Sequence, residues 1–145
     1  MNQPYVFDTE ALIAFFYQEE GHSIIRSLLA EVSSGEINGY IAEINATETL
    51  YLLARYNGRD GKPTPDSLHI AEQQIRGLQM QGITITVPSW QLAAKIKAHG
   101  NISLADAYAA ALSHEREATL VVGADDDFQD LPVSVELLRF RDTAV

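Results

Sequence analysis

The sequence predicts a three-layer α/β fold, in which a central, mostly parallel sheet of four or five strands is flanked by helices. Short runs of β-branched and aromatic residues alternate with segments of helical periodicity along the whole chain. Strands separated by helices favour right-handed crossovers, and such crossovers produce parallel sheets that are covered on both faces. At 145 residues the chain has the length of one domain, 1–145.

The segment before residue 57 predicts two strands and three helices. The strands are short and apolar, at 5–7 and 39–42. The helices have apolar residues three or four positions apart, and we expect them at about 11–16, 23–32 and 46–56.

The stretch NGRDGKPTP, residues 57–65, is the clearest helix-breaking segment. Helical periodicity resumes directly after it, over 65–80, with apolar residues three or four apart. The stretch therefore predicts the tip of a helical hairpin.

The second half of the chain predicts the remaining elements. A β-branched run at 83–87 is typical of a third strand, and a helix over 89–99 should end at the glycine that follows it. An alanine-rich helix is expected over 104–118 and a fourth strand over 119–124. A short fifth strand at 133–138 would lie near the sheet edge.

Composition excludes several classes of function. The chain contains 20 acidic and 10 basic residues, and this formal charge of -10 argues against binding duplex DNA through a broad basic face. The lack of cysteine excludes disulfides, thiolate zinc sites and cysteine nucleophiles. No apolar run approaches the roughly 20 residues of a membrane span, and the start lacks a basic leader region, so we expect a cytoplasmic protein.

Acidic residues follow two of the predicted strands. In open parallel sheets, ligands bind beyond the carboxyl ends of the strands. The first strand runs into Asp8, and the fourth runs into Asp125, Asp126 and Asp127. Taken singly, Asp8 is also consistent with a helix N-cap, and the aspartate triplet with a solvated turn.

Two further acids lie near predicted helix starts. The segments from Asn45 to Glu48 and from Ser103 to Asp106 both have the form of a capping box. A purely structural cap is an open alternative for Glu48. It is weaker for Asp106, because the box is described for Glu or Gln and aspartate is one methylene shorter. A carboxylate in the first turn of a helix is stabilised by the helix dipole.

The carboxylates of Asp8, Glu48, Asp106 and Asp125 can therefore converge at one edge of the sheet. Four carboxylates without a nearby base would repel one another strongly in a cleft. A divalent cation is the simplest remedy, and an all-oxygen ligand set favours Mg²⁺ or Mn²⁺ over zinc or copper. Within the aspartate triplet, the register stays open by a residue or two.

Four segments carry a family resemblance: YVFDTEALIAFF, INATETLYLLAR, SLADAYAAALSHE and TLVVGADDDFQDL. Together and in this order they resemble the PIN-domain family, and within it the VapC-type ribonuclease toxins of toxin–antitoxin pairs. They span nearly the whole chain. The resemblance implies a PIN-like fold, with Asp8, Glu48, Asp106 and Asp125 in the places of the metal-binding acids. It implies an assisting role for Asp127.

The chain departs from the family pattern at Gly123. Family members often carry Thr or Ser there, two residues before the late aspartate, so a hydroxyl that could orient water or substrate is missing. Thr9 and Ser103 remain as nearby hydroxyls that could contact substrate.

The resemblance also implies an activity and partners. The expected activity is hydrolysis of RNA phosphodiester bonds with Mg²⁺ or Mn²⁺, and the expected partners are RNA, a cognate small antitoxin protein and a second copy of the chain. An antitoxin would cover the site, typically with an arginine that reaches into the acids. The candidates for phosphate contacts are Arg55, Arg59 and Lys62 around the hairpin tip, although a solvated tip explains them equally well.

Other functions remain to be weighed. One alternative is a catalytically inactive PIN module that binds RNA or protein, which an absence of metal binding would reveal. Phosphoryl transfer through an aspartyl nucleophile is disfavoured. Haloacid-dehalogenase-like phosphatases require a second Asp at the position of Glu10, and receiver domains require paired acids before the first-strand aspartate and a late lysine.

Overall fold

A computed structural model describes residues 3–124 and 126–142 of the protein, with only the backbone of residue 126. Five strands occur in these residues: β1 (Tyr5–Phe7), β2 (Gly39–Ala42), β3 (Ile83–Thr86), β4 (Thr119–Val122) and β5 (Glu136–Arg139). The α-helices of the same ranges are α1 (Thr9–Tyr17), α2 (His22–Ser33), α3 (Glu43–Tyr56), α4 (Pro65–Met80), α5 (Trp90–His99) and α6 (Leu104–Glu115). A 3₁₀ turn covers Asp126–Phe128.

The strands form one sheet in the order β3-β2-β1-β4-β5, and every neighbouring pair is parallel. In the register of the centre, Tyr5 lies opposite Gly39 on one side and Thr119 on the other. Because all strands run in one direction, their carboxyl ends meet at one edge of the sheet. The predicted α/β class is confirmed, and so is the fifth strand at the edge.

Alternate residues of the strands bury opposite faces of the sheet, as pleating requires. Phe7 and Val121 pack in a core with residues of α1 and α2. Val6 and Leu120 pack on the other face, with residues of α5 and α6. The alanines of α6 from residue 107 on are fully buried, and such small side chains let this helix lie close to the sheet. The result is the predicted three-layer arrangement.

Helices α3 and α4 form the predicted hairpin, with 57–64 at its tip. The Thr64 hydroxyl accepts a hydrogen bond from the Ser67 amide at 3.0 Å, and the Ser67 hydroxyl accepts one from the Thr64 amide at 2.8 Å. Pro65 occupies the first turn, where its missing amide hydrogen costs nothing. Leu53 and Ala71 lie in the small core between the two helices.

One predicted helix start was wrong. Helix α3 begins at Glu43, three residues earlier than expected, and its N-cap Ala42 makes no side-chain cap bond. Asn45 consequently lies inside the helix, so the capping box proposed for Asn45 and Glu48 does not exist. At Ser103 the predicted cap is present, because the Ser103 hydroxyl does cap α6.

The segment after β5 folds back onto the first helices. The Phe140 amide donates to the Val122 carbonyl at 2.9 Å, and the Phe140 ring is buried against the turn between α1 and α2. Gly21 in that turn has a φ of 86°, and a β-carbon there would stand 2.2 Å from the Phe140 carbonyl oxygen. This close approach fixes the residues that follow Phe140. None of the helices in the described ranges combines the length and hydropathy that a membrane span requires.

Candidate functional site

Asp8 stands where β1 ends and α1 begins. Its side chain is 2% exposed, and its Oδ1 accepts a hydrogen bond from the Ala11 amide at 2.8 Å, so Asp8 is the N-cap of α1. The cap and the site are compatible, because a capping carboxylate lies at the positive end of the helix dipole. The structural alternative for Asp8 is thus correct without displacing the functional one.

A buried hydrogen bond joins the start of α1 to α3. The Asn45 side-chain amide donates to the Thr9 hydroxyl at 3.0 Å, and both residues are buried. Within the described residues, the Asn45 Oδ1 atom has no hydrogen-bond partner. Glu48 lies one helical turn after Asn45 on the same side of α3, since positions three apart are neighbours on a helix. This contact brings the exposed Glu48 to the Asp8 edge.

Ser103 and Asp106 open helix α6 at the same edge. The Ser103 hydroxyl accepts a hydrogen bond from the backbone amide of Asp106 at 3.1 Å. The cap thus uses the serine side chain and the aspartate backbone. The Asp106 carboxylate takes no part in this bond, and the residue is half-buried.

These residues share one cavity of about 430 Å³. Its lining comprises five acids, two hydroxyl residues, two apolar residues and one arginine: Asp8, Glu10, Glu19, Glu48, Asp106, Thr9, Ser103, Ile13, Leu52 and Arg141. Three of the four predicted acids therefore line a common cleft, although 40 and 58 residues separate them along the chain. We call this cavity the acidic cleft.

The fourth predicted acid, Asp125, lies outside the described residues, as does the Asp126 side chain. In ranges 3–124 and 126–142, no three acidic or histidine side chains are close enough together to hold a metal ion. Mg²⁺ usually keeps several of its waters and binds through only one or two carboxylates. The oxygen donors of the acidic cleft fit such a cation, with water completing its shell.

Asp127 is placed elsewhere. It lines a separate cavity of about 220 Å³ together with His99, Asn101 and Gln129, near the end of α5. Asp8, Glu48 and Asp106 do not line this cavity, and the assisting role implied for Asp127 stays a prediction.

The predicted cations divide into two groups. Arg55 lines a second cavity, of about 520 Å³, which shares Ile13, Glu19 and Leu52 with the acidic cleft and so continues it. Arg59 and Lys62 are exposed at the hairpin tip, where their backbones exchange hydrogen bonds of 2.9 and 3.1 Å. Neither Arg59 nor Lys62 lines the acidic cleft or the cavity of Arg55.

Sequence reasoning missed the arginine of the acidic cleft. The Arg141 side chain is 4% exposed, and it donates to Glu10 at 2.7 Å and to Glu19 at 3.2 Å. Burial acts to lower the pKa of Arg141, but the hydrogen bonds and charges of the two glutamates outweigh it, and the pKa is raised. Arg141 is a permanent positive charge in the cleft wall. Its isolated position near the end of the chain gave no motif to detect.

The departure at Gly123 has a structural counterpart. A β-carbon at this position would stand 2.4 Å from the carboxyl group of Glu10. Gly123 is buried, and its carbonyl accepts a hydrogen bond from Arg139 at 2.7 Å. In the sequence, Glu10 only argues against a phosphatase motif. The glycine at 123, where family members often carry Thr or Ser, is the sequence feature that could have pointed to Glu10 as a site residue.

Comparison with known proteins agrees with this architecture. Among solved structures, VapBC2 from Rickettsia felis bound to a DNA fragment from their promoter matches with a TM-score of 0.69 at 13% identity, over 93% of this chain and 97% of the other. FitAcB from Neisseria gonorrhoeae matches with a TM-score of 0.60 at 18% identity, over 91% and 96%. At these identities the likeness shows the fold alone. No curated protein matches the sequence significantly. The profile of the PIN domain family matches residues 5–133, and the chain therefore belongs to the PIN domain family.

Proposed function

We propose that the protein is a metal-dependent endoribonuclease that hydrolyses RNA phosphodiester bonds and serves as the toxin of a toxin–antitoxin pair. The observation that carries the proposal is that Asp8, Glu48 and Asp106 line one cleft, although they come from the N-cap of α1, the second turn of α3 and the first turn of α6. Membership of the PIN family, whose members are typically nucleases, supports the same activity.

Asp8, Asp106 and Asp125 are the proposed metal ligands, and Glu48 lines the same cleft as Asp8 and Asp106. A divalent cation in such a site activates water and stabilises the leaving oxygen in phosphodiester hydrolysis. The N-cap bond fixes the Asp8 side chain, and the buried Asn45 contact fixes the distance between α1 and α3. Thr9 and Ser103 line the acidic cleft, and their hydroxyls can donate hydrogen bonds to a phosphate.

We expect the substrate to run from the acidic cleft into the cavity that continues it, towards the cations of the hairpin. An RNA strand leaving the acidic cleft over Leu52 reaches the adjoining cavity, where Arg55 can contact a phosphate. The rings of Tyr17 and Tyr56 lie 4.5 Å apart in the same cavity, and Tyr56 is 73% exposed. Arg59 and Lys62 can contact only a longer strand that extends to the hairpin tip.

An assay of RNA cleavage tests the proposal, with Asp8→Asn as the key variant. Asparagine is as good an N-cap as aspartate, so the bond to the Ala11 amide survives while the charge is lost. We expect the parent to cleave total RNA with Mn²⁺ and to stop when the metal is chelated. Asp8→Asn should be inactive at an unchanged melting temperature. Metal-independent cleavage, or full activity of Asp8→Asn, would refute the proposed site.

An antitoxin is the proposed protein partner. Two of the structural neighbours are VapBC2 and FitAcB, and the resemblance of this chain to VapC-type toxins implies a cognate antitoxin. The acidic cleft is suited to a basic side chain from such a partner, because five carboxylates face a single arginine there.

We also expect a homodimer. Large apolar side chains stay exposed on the hairpin, among them Leu68 and Ile70 of α4 at 41% and 53%. Covering them would remove apolar surface from water, which favours association. Sedimentation at micromolar concentration should give twice the chain mass. A single monomeric species at that concentration contradicts this expectation.

An inactive PIN module is the second candidate function. It is favoured by the lack of three close metal-binding side chains in the described residues and by the glycine at 123. Such a module would bind RNA or protein without a cation. The inactive module would be supported if Mn²⁺ left the melting temperature unchanged and no RNA cleavage were detected.

A further inference from the structure

Glu10 occupies the space that a side chain at residue 123 would need. A β-carbon on Gly123 would lie 2.4 Å from the Glu10 carboxyl carbon and from both of its oxygens, a distance that real β-carbons do not reach. The φ of Gly123 is outside the left-handed region, so backbone conformation does not require glycine there. A side chain at 123 therefore fits only if the Glu10 carboxylate moves.

The Glu10 carboxylate is held in that position from the opposite side. Its Oε2 accepts a hydrogen bond from Arg141 at 2.7 Å, and Arg141 is anchored a second time on Glu19 at 3.2 Å. Arg141 itself is 4% exposed, and its Nε atom has no hydrogen-bond partner among the described residues. Such a buried, paired guanidinium has little freedom, so the carboxylate has little freedom as well.

We propose that Glu10 is a positioning residue of the acidic cleft, paired with Gly123 and fixed by Arg141, and that it orients the water around the bound cation. The inference rests on the proposed nuclease function and adds a residue to it. Glu10 lines the same cavity as Asp8, Glu48 and Asp106, and the Glu10 side chain is 33% exposed, so solvent in the cleft can reach it.

A carboxylate suits this role for a chemical reason. Water bound to a divalent cation donates hydrogen bonds, and a carboxylate oxygen accepts them without donating. Groups that hold metal-bound water in this way fix its direction, and their loss typically costs about 10- to 100-fold in metal affinity or activity. Glu10 lies beside residue 123, which is two residues before the proposed ligand Asp125. It can act on the cation through water without direct coordination.

A set of four proteins tests the proposal: the parent, Glu10→Ser, Gly123→Thr and the double variant. Gly123→Thr alone should be destabilised, because its β-carbon meets the carboxylate. The same threonine should cost much less stability when Glu10 is serine. Gly100→Thr is the matched control, since nothing lies within 4 Å of a β-carbon there and the backbone is extended. Gly123→Thr as stable as Gly100→Thr would overturn the spatial pairing.

Cleavage and metal binding test the positioning role. We expect Glu10→Ser to lower kcat about 10- to 100-fold with little change in KM, and the double variant to regain part of it through the threonine hydroxyl. Glu10→Gln keeps the shape and removes the charge, and it replaces Glu10→Ser if the latter does not fold. Parent kcat in both Glu10 variants would overturn the role.

The metal alone separates this inference from the proposed function. If neither the parent nor Asp106→Asn cleaves RNA, the nuclease function fails, but the melting temperature still reports on Mn²⁺. A smaller Mn²⁺-induced rise in Glu10→Ser than in the parent supports the role of Glu10 in metal binding. Equal rises, or no rise in the parent, reject it.

Discussion

Replacing Asp106 by asparagine is expected to reduce RNA cleavage by about a hundredfold or more, because metal-assisted catalysis supplies several kcal/mol of transition-state stabilisation. The fold should remain intact. The bond that caps α6 joins the Ser103 hydroxyl to the backbone amide of residue 106, which asparagine retains. Removing one of the acids that line the cleft also relieves repulsion there when no metal is bound.

Thermal unfolding with and without Mg²⁺ complements the cleavage assay. A ligand that binds only the folded state stabilises it by about 2.7 kcal/mol at a hundred times its dissociation constant. For a chain of this length, that corresponds to a rise of roughly 5 to 10 °C in Tm. The rise should be smaller in Asp106→Asn than in the parent. Without metal, the Tm of the variant should equal or exceed that of the parent.

Asp66→Asn is the matched control for this substitution. Asp66 is an exposed acid in the first turn of α4, as Asp106 is in the first turn of α6, and it lies outside the acidic cleft. Its variant should keep both the cleavage rate and the Mg²⁺-induced rise in Tm. Equal rises in the parent and in Asp106→Asn would remove Asp106 from the site and deprive the nuclease proposal of a main support.

The sequence could predict the place of these acids because local patterns determine it. Strand periodicity and the alternation of strands with helices imply one parallel sheet, and the residue after each strand then lies at the carboxyl edge. Asp8 could be placed by this argument alone. Asp106 follows α5 and not a strand, so the capping pattern at Ser103 and the family resemblance indicated its place instead. Glu48 reached the same cleft although its predicted cap was wrong, because Asn45, three residues earlier, contacts Thr9 instead.

The parts that could not be predicted depend on contacts between distant segments. Arg141 contacts Glu10 across 131 positions of the chain, and only the packing of Phe140 against Gly21 brings them together. No periodicity or motif encodes such a contact. Asp127 lies in the 3₁₀ turn after β4 and lines a different cavity from Asp8, and the assisting role that the family resemblance implies for it stays a prediction.

Replacing Arg141 by methionine is expected to be the most destabilising of the substitutions considered. Removing one partner of a buried ion pair typically costs about 3 to 5 kcal/mol, because the other charge is left without compensation. Glu10 and Glu19 keep about a third of their exposure, which places the expected loss near the lower limit, about 3 kcal/mol. The Tm should fall by roughly 6 to 12 °C.

The sign of the pH dependence is also fixed. The pKa of Arg141 is raised in the folded protein, so its contribution is fully present below the ordinary pKa of arginine and is lost only as the pH rises through the raised value. The difference between the parent and Arg141→Met should therefore not diminish from neutral to moderately alkaline pH. Thermal unfolding of both proteins across this range measures it.

Arg76→Met is the control that distinguishes a buried ion pair from an exposed one. Arg76 contacts Glu72 at 2.9 Å, but the two side chains are 61% and 48% exposed, and exposed pairs contribute at most about 1 kcal/mol. If Arg141→Met lost no more stability than Arg76→Met, the ion pairs of Arg141 with Glu10 and Glu19 would not stabilise the protein in solution.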